Sequence, residues 1–313
     1  MQPVTVVFCF NEGFCPVAAA AVGSLIAHAG AGRHYDLYII SPDLSSSSRE
    51  QLSAMTCGHD VTLQVVDFDL QAHSRHDFGY SVHTRHAFIR LFLPQLLGHL
   101  PRVLYLDADL VILEDVALLY DRDLQGHAVG VVADPLDVSP TDFAAGLRMT
   151  GLPQTSMDEY MTRYLGLTAE ALAGYFNSGV MLMDMPRFAA RLERDLEELL
   201  SRRYIYSDQD ILNIMFAEDK ELLEGQWNVQ VKNGQKHHPP ADARILHYTG
   251  LCKPCDDVQP VTASTLPYWQ AVAATPFFAA ALEHYATARA RAAFKVMLEH
   301  GAELRQALAR PAH

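Results

Sequence analysis

Two acidic residues, Asp107 and Asp109, interrupt the otherwise apolar segment 103–113. Residues two apart in an extended segment face the same side, so the carboxylates repel one another unless a cation or a proton joins them. Ligands of open α/β sheets gather at the carboxyl ends of strands, and oxygen ligands suit Mg²⁺ or Mn²⁺ bridging a diphosphate. An Asp-x-Asp tripeptide is common in loops, but its position at the end of an apolar strand predicts a metal centre.

His247 follows the apolar residues Ile245 and Leu246 and precedes Gly250 and Lys253. A single histidine is most often structural, but beside two carboxylates its imidazole would complete a site that suits Mn²⁺ better than Mg²⁺. A glycine lets the backbone approach a phosphate closely, and a lysine supplies a point charge. This combination favours chemistry in which negative charge develops on a departing diphosphate.

Two further polar groups each have a structural and a functional interpretation. Asp208 and Gln209 open a predicted helix, whose first turn Ser207 or Asp208 could cap; alternatively, Asp208 and Gln209 face a sugar at the start of that helix. The Asn-Ser-Gly segment 177–179 is either a tight turn before a strand or a source of amide contacts to sugar hydroxyls.

Composition limits the class of protein. The chain has 313 residues, an apolar fraction of 50% and a net charge of −13, which indicates a soluble globular enzyme and argues against a general nucleic-acid binder. Its five cysteines, an odd number in a long chain, fit a reducing cytoplasm. Cys252 and Cys255 form a single C-x-x-C, which we interpret as two loop thiols rather than a redox pair or a zinc half-site, because zinc needs two more ligands.

Hydropathy gives no sign of a secretory signal or a membrane span. The N-terminal apolar run has no basic segment before it and is interrupted at Asn11 and Glu12, and no apolar stretch is long enough to cross a bilayer.

Strands and helices are predicted to alternate, which is typical of an α/β fold with a parallel sheet. Strands rich in β-branched and aromatic residues are predicted at 4–10, 35–40, 61–66, 101–106, 128–133 and 180–184. A further strand that runs into a glycine turn is predicted at 245–250. Helices are predicted at 16–29, 45–55, 86–97, 157–164, 186–204, 208–216 and 276–309.

Two segments stand apart from this pattern. Residues 139–174 are polar and long for a connection, as binding segments often are, and we expect them to contact an acceptor. We predict a catalytic domain at 1–260 and a C-terminal helical extension at 261–313, whose residues 286–313 hold five basic and two acidic side chains.

Six ordered stretches of the chain resemble glycosyltransferase family 8, the retaining nucleotide-sugar transferases that include bacterial lipopolysaccharide galactosyl- and glucosyltransferases and glycogenin. The stretches span roughly residues 4–255 and follow the family's order. They are 7–11 (VFCFN), 87–91 (AFIRL), 103–109 (VLYLDAD), 175–180 (YFNSGV), 207–213 (SDQDILN) and 247–254 (HYTGLCKP).

The resemblance implies a GT-A fold, which is a Rossmann-like mixed α/β sheet flanked by helices, here with a C-terminal helical extension. It also implies Mn²⁺ as cofactor, with Mg²⁺ as the alternative, and a UDP-hexose donor. Asp107, Asp109 and His247 match the family's metal ligands. The implied donor-binding residues are Cys9, Asn11, Phe14, Arg90, Leu106, Asp107, Ala108, Asp134, Asn177, Ser178, Asp208, Gln209, Gly250 and Lys253.

Three positions differ from the family's usual residues. The family often has an acidic residue where Asn11 stands and a tyrosine where Phe14 stands. Asparagine can still bond a uracil edge and phenylalanine can still stack on it. A tryptophan usually follows the Lys-Pro pair, whereas this chain has Cys255 there.

The implied reaction retains the configuration at the anomeric carbon and passes through an oxocarbenium-like centre. Its implied catalytic residues are Arg90 and Lys253, which with the metal stabilise the UDP leaving group, and Asp208 and Gln209. Gln209 stands where a retaining hydrolase has a carboxylate nucleophile, and an amide is a poor nucleophile. We therefore favour same-face internal return, in which the leaving phosphate helps to deprotonate the acceptor; Asp208 as a covalent nucleophile is the alternative.

The resemblance also implies partners and a location. It suggests transfer of galactose or glucose to a glycan or lipid-linked oligosaccharide, in the synthesis of lipopolysaccharide or another cell-envelope glycan. The reaction would take place in the cytoplasm, at the inner face of the cytoplasmic membrane. Nucleic acid is not an expected partner. The helical extension would contact the membrane, pack on the catalytic domain or form a homodimer.

Two other functions remain open at this point. A metal-dependent nucleotidyltransferase also pairs carboxylates at strand ends, but it has no need of the spacing of His247, Gly250 and Lys253, and it usually carries a basic glycine-rich loop near the N-terminus. A non-catalytic sugar-nucleotide binder is the other alternative, against which the intact metal ligands and Lys253 argue.

Overall fold

The computed structural model describes residues 2–69, 72, 86–232, 238–250, 252–256 and 260–308, with side chains as far as residue 299. Ten strands lie in this part of the chain: β1 (Val4–Cys9), β2 (Tyr35–Ser41), β3 (Val61–Asp67), β4 (Arg102–Leu106), β5 (Leu110–Ile112), β6 (Val129–Ala133), β7 (Phe176–Asp184), β8 (Lys220–Leu222), β9 (Val229–Gln230) and β10 (Ile245–His247). Seven of them form one sheet in the order β3-β2-β1-β4-β7-β6-β8.

The large sheet is mixed, as predicted. β1 pairs in parallel with β2 and β4, and β7 runs antiparallel between β4 and β6. Alternate residues of β1 pack into two different cores, Val6 and Phe8 on one face and Val7 and Cys9 on the other. Because β1 and β4 are parallel, with Phe8 opposite Leu106, the loops that follow them leave the same edge of the sheet.

The small sheet, in the order β5-β10-β9, brings two distant segments together. β10 runs antiparallel to β5, with His247 opposite Leu110, and the Tyr248 amide donates to the Asp109 carbonyl over 3.0 Å. The register of this pair therefore sets His247 beside the end of β4.

Helices flank both faces of the sheet. The α-helices of the described residues are α1 (Cys15–Ala27), α2 (Ser46–Ala54), α3 (Leu93–Leu97), α4 (Ala117–Tyr120), α5 (Pro140–Thr150), α6 (Met157–Glu159), α7 (Ala169–Ala173), α8 (Met185–Leu200), α9 (Asp208–Met215), α10 (Leu266–Ala273) and α11 (Phe278–Leu308). Helix α1 starts with Pro16 in its first turn, and its residues 18–22 are wholly buried. Their small side chains let α1 lie close to the sheet and to α10.

One local interpretation is wrong, and two helical predictions gain detail. The segment 177–179 lies within β7, so the predicted tight turn before a strand is wrong; its polar side chains are bonded to one another and to neighbouring segments. The segment 86–97 is a 3₁₀ helix over Ala87–Phe92 and becomes α-helical only at Leu93, where Pro94 suits the first turn. The segment 139–174 contains α5 and α7 in addition to the predicted helix near 157–164, because Ser139 and Thr168 cap them.

The C-terminal segment is helical, as predicted, to Leu308; residues 309–313, including Arg310, lie outside the described residues. Tyr268, Val272 and Ala281 belong to the same core as α1. The boundary at residue 260 stays a prediction. Among the residues described, no helix is long and apolar enough to cross a bilayer.

Candidate active site

The ends of β4 and β10 bring the three predicted metal ligands to one place. The ligand atoms of Asp107, Asp109 and His247 lie within 4.8 Å of one another. Nε2 of His247 is 3.2 Å from Oδ1 of Asp109 and 3.7 Å from Oδ2 of Asp107. Two carboxylates and an imidazole form a donor set that fits a divalent cation such as Mn²⁺. The side chains present therefore fit the predicted metal.

The Asp107 carboxylate is held in one orientation. Its Oδ1 accepts a hydrogen bond of 2.7 Å from Arg90 Nη2 and another of 2.7 Å from the Tyr105 hydroxyl. Both donors approach the same oxygen, so Oδ2 faces His247. Oδ1 of Asp107 is therefore occupied by hydrogen bonds, and Oδ2 is directed to the predicted metal position.

Gly179 on β7 makes room for this cluster. A Cβ atom built at Gly179 would lie 2.2 Å from Cε1 of His247 and 2.8 Å from Oδ2 of Asp107. The backbone of β7 is fixed there, since the Gly179 carbonyl accepts from the Asp107 amide over 2.8 Å. A side chain at position 179 would therefore displace the ligands themselves.

Gly179→Ala is expected to lower the affinity for Mn²⁺ by about 10- to 100-fold, because the new methyl group pushes the His247 ring and the Asp107 carboxylate apart. Calorimetric titration of Mn²⁺ measures the change. Gly225→Ala is the matched control, since a Cβ there meets nothing within 4 Å. Equal affinities in the two variants would contradict the tight packing at Gly179.

Arg90 lies beneath the metal position and is buried. Its guanidinium contacts Asp107 through Nη2, stands 2.8 Å from Oδ2 of Asp208 through Nε, and donates to the Ser178 carbonyl over 2.6 Å through Nη1. It also stacks on the Tyr105 ring, with 4.5 Å to the ring centroid. One buried cation therefore holds two carboxylates and strand β7 together.

Lys253 joins the predicted phosphate loop to the metal ligands. Its Nζ donates to Oδ2 of Asp109 over 2.5 Å and to the Gly250 carbonyl over 2.6 Å. Gly250 has a φ of +96°, a conformation that favours glycine. Burial alone would raise the pKa of Asp109, but the charge of Lys253 holds it below its ordinary value.

Asn177, Ser178 and Gln209 form one hydrogen-bonded group. Oε1 of Gln209 accepts from the Ser178 amide over 3.2 Å and from Nδ2 of Asn177 over 3.1 Å. Nε2 of Gln209 lies 3.4 Å from Oδ2 of Asp134 and 3.3 Å from the Tyr175 hydroxyl. The structure thus brings the predicted donor-sugar residues Asp134, Asn177 and Gln209 into contact.

Asp208 opens α9 but faces Arg90. Ser207, at the N-cap position, has a φ of +54° and makes no side-chain capping bond, so capping by Ser207 is not its role. Oδ2 of Asp208 has ionic contact with Arg90 without hydrogen-bond geometry. Burial raises the pKa of this carboxyl, while Arg90 opposes the rise.

Asp210 anchors the start of α9 from inside the core. It is fully buried and accepts hydrogen bonds from the hydroxyls of Tyr160 over 2.6 Å and Tyr175 over 2.7 Å, and from the Tyr206 amide over 2.9 Å. Burial raises its pKa from 3.8 to about 6, and the hydrogen bonds oppose the rise.

A stability difference that depends on pH is expected between the natural protein and Asp210→Asn. Because folding raises this pKa, the protonated form contributes stability below pH about 4 that is lost as the pH rises through about 6. The free energy of unfolding of the natural protein should therefore fall relative to that of Asp210→Asn by about 3 kcal/mol over this window. Urea unfolding across the window measures it, and a constant difference would contradict it.

The predicted nucleoside contacts lie at the end of β1. Cys9 is the last, buried residue of β1. Asn11 precedes the 3₁₀ turn Glu12–Phe14, and Phe14 ends it. Glu12 fixes this turn, since its carboxylate accepts from the Ser45 amide over 2.9 Å and the Ser48 hydroxyl over 2.8 Å. Leu106 and Ala108, also in the predicted donor set, flank Asp107 and are buried. The roles assigned to all these residues stay predictions.

Within the described residues, Cys252 and Cys255 form no disulfide bond. The ligand atoms of Cys255, Asp256 and His284 lie within 4.8 Å of one another, a proximity that the sequence pattern did not indicate. Asp256 and His284 are exposed, and Oδ1 of Asp256 lies 3.7 Å from Nδ1 of His284. This group joins the loop after Lys253 to α11.

Most of the chain matches one known protein family. The family described as "Glycosyl transferase family 8" matches residues 5–258. Lipopolysaccharide 1,2-glucosyltransferase of Escherichia coli (strain K12) is 32% identical over 188 residues, 55% of this chain and 50% of that protein. This chain therefore spans about half the length of that relative.

Solved structures share the fold. A structure of the WbbM bifunctional glycosyltransferase superposes with a TM-score of 0.70 at 24% identity, over 90% of this chain and 52% of that one. The galactosyltransferase LgtC, solved with donor and acceptor sugar analogues, superposes with a TM-score of 0.62 at 18% identity, over 87% and 96%. The predicted GT-A fold is thereby confirmed.

Proposed function

The chain belongs to glycosyltransferase family 8, and on this premise we propose that it transfers galactose or glucose from a UDP-sugar to a glycan acceptor, with retention at the anomeric carbon. The acceptor is a lipopolysaccharide or another cell-envelope glycan. The name of the Escherichia coli relative, a lipopolysaccharide glucosyltransferase, supports this class of acceptor.

The observation that carries the proposal is the convergence of Asp107, Asp109 and His247, with ligand atoms within 4.8 Å, at the edge of the sheet where β1 and β4 end. A divalent ion held there, Mn²⁺ or Mg²⁺, supplies positive charge to the diphosphate of the donor. Arg90 holds the Asp107 carboxylate in its orientation, and Lys253 places a second cation against Asp109. These residues together stabilise the negative charge that develops on the departing UDP.

The contacts of Asp208 and Gln209 favour same-face internal return. The amide oxygen of Gln209 already accepts two hydrogen bonds, and Asp208 is buried against Arg90. The burial of Asp208, which is 3% exposed, and the two hydrogen bonds accepted by Gln209 argue against either residue as a covalent nucleophile. Gln209 instead orients Asp134 and Asn177 toward the sugar, and the leaving phosphate takes the acceptor's proton. A trapped glycosyl adduct on Asp208 would overturn this mechanism.

We assign the chain to the cytoplasm, at the inner face of the membrane, with α11 as its contact. On α11, Phe294 and Met297 are 55% and 60% exposed beside the basic residues Arg291 and Lys295. Exposed apolar side chains next to cations support contact with an anionic lipid surface. Sedimentation with anionic vesicles tests it, and a dimer in their absence would favour α11 as a subunit interface.

The transferase proposal is tested with the full chain, Mn²⁺ and a panel of UDP-sugars, by following UDP release with and without lipopolysaccharide core acceptors. We expect release with UDP-galactose or UDP-glucose and an α-linked product by NMR. Release from other nucleotide classes alone, or inversion in the product, would contradict the donor or the stereochemistry. Binding of UDP-sugar without release under any condition would instead favour a non-catalytic binder.

A further inference from the structure

Asn228 lies between the metal ligands and the sugar-binding group. It ends the 3₁₀ helix Gly225–Asn228 and is buried. Its Oδ1 lies 2.9 Å from Nδ1 of His247, and its Nδ2 donates to Oδ1 of Asn177 over 2.9 Å. Both ends of this amide are therefore occupied by residues of the site.

A backbone group determines how these amides are oriented. The Gly179 N–H can only donate, and it points at the Asn177 side chain over 3.0 Å, so the atom that it meets must be an oxygen. The atom of Asn228 that faces the same oxygen must then be its NH₂ group. The other end of Asn228, which faces His247, is consequently the carbonyl oxygen.

The tautomer of His247 follows from this chain of contacts. An amide oxygen accepts and cannot donate, so Nδ1 of His247 carries a proton. In the neutral ring, Nε2 then has its lone pair free, and it faces Asp109 at 3.2 Å and Asp107 at 3.7 Å. This is the form of imidazole that binds a metal ion.

The same series of hydrogen bonds extends from Asn177 to Gln209. The Ser178 N–H also can only donate, and it meets Oε1 of Gln209 at 3.2 Å, which directs the Gln209 NH₂ group to Asp134. Nδ2 of Asn177 donates to the same Oε1, so Asn177 touches both Asn228 and Gln209. Two adjacent amides of β7 thus orient the side chains on both sides of Asn177.

We infer that Asn228 is a positioning residue: it holds His247 with its proton on Nδ1 and its Nε2 lone pair on the metal position, and it connects this ligand through Asn177 to Gln209. The first role, the positioning of His247, concerns metal binding and does not depend on the proposed transferase function. The second role, toward Gln209, rests on the proposed transferase function.

Mn²⁺ titration of Asn228→Ala and Asn228→Asp tests the first role. Asn228→Ala removes the acceptor from Nδ1 and is expected to weaken Mn²⁺ binding by about 10- to 100-fold. Asn228→Asp keeps the acceptor, so its affinity should stay within about threefold of the natural protein's. Gln226→Ala, in the same 3₁₀ helix but bonded to Asp242, is the control and should leave affinity unchanged. Equal affinities in Asn228→Ala and Gln226→Ala would overturn the inference.

A spectroscopic measurement needs no variant of Asn228. In ¹⁵N-labelled protein saturated with diamagnetic Mg²⁺, long-range ¹⁵N–¹H correlation should show His247 with a protonated Nδ1 and an unprotonated Nε2, assigned by comparison with His247→Asn. The reverse tautomer, or a ring with both nitrogens protonated, would overturn the inference even if Asn228→Ala failed to fold.

The turnover of Asn228→Asp separates the two roles. A carboxylate at position 228 cannot donate to Oδ1 of Asn177, so this variant should keep Mn²⁺ yet lose about tenfold in UDP release. Full turnover in Asn228→Asp would contradict the role of Asn228 toward Gln209. Suppose that Mn²⁺ binding depends on Asn228 but the protein never releases UDP. This result would support the positioning of His247 and contradict the proposed transferase function. The inference and the proposed function can therefore fail separately.

Discussion

Asp109→Ala is expected to abolish measurable Mn²⁺ binding and to lower UDP release from the UDP-sugar by about 10³-fold or more. The change removes one of three ligands whose atoms lie within 4.8 Å and leaves Lys253 without its carboxylate partner. A bound metal contributes several kcal/mol of charge stabilisation to a departing diphosphate, and each 1.36 kcal/mol is worth about tenfold in rate. Steady-state turnover and Mn²⁺ titration on the same preparations measure the two effects.

Asp195→Ala is the matched control, because it removes one exposed carboxylate from α8. It should turn over at the natural rate. Mn²⁺ binding that survives in Asp109→Ala would mean that the ion is held elsewhere. Turnover that survives without Mn²⁺ would show that Arg90 and Lys253 suffice to stabilise the leaving group.

Arg90→Met is expected to reduce the free energy of unfolding by about 3–5 kcal/mol, in addition to abolishing activity. The variant leaves the carboxylates of Asp107 and Asp208 in a buried site without their shared cation. It also frees the Ser178 carbonyl, which accepts from Nη1 of Arg90. Urea unfolding at neutral pH measures the loss.

Two companion variants sharpen this prediction. Arg90→Met combined with Asp208→Asn should recover part of the lost stability, because one of the unpaired buried charges is gone. Arg90→Lys should recover little, since an ammonium cannot supply the three directed contacts of a guanidinium. A loss below about 1 kcal/mol in Arg90→Met, typical of exposed ion pairs, would contradict the burial of this network.

The strands and the metal ligands could be predicted because their signals are local. Apolar runs of β-branched residues identify β1, β2 and β4, and two carboxylates that follow β4 must share a cation or a proton to lie inside the sheet. The convergence of His247 with them was expected both because an imidazole would complete the site and because of the family resemblance. Its physical cause is the antiparallel pairing of β10 with β5, which joins residues more than a hundred positions apart and leaves no local trace.

Asn228 escaped prediction for the same reason. It is a single polar residue after Trp227, with no spacing to any other candidate, and its role comes entirely from its contacts with His247 and Asn177. A tight turn was one of two interpretations of segment 177–179, because Asn, Ser and Gly are typical turn residues, and that interpretation is wrong. In β7 their polar groups are satisfied by Asn228, Gln209 and Arg90, all from other parts of the chain.

The packing of α10 on α1 sets an order of events during synthesis of the chain. Helix α1 leaves the ribosome before α10, because the Tyr268 hydroxyl that bonds the Pro16 carbonyl comes 252 residues later. Until α10 emerges, the alanine-rich side of α1 that it covers has no partner. Contacts so distant in sequence form late and slowly, and exposed apolar helices are substrates for chaperones. This side of α1 is therefore covered only after α10 has been synthesised.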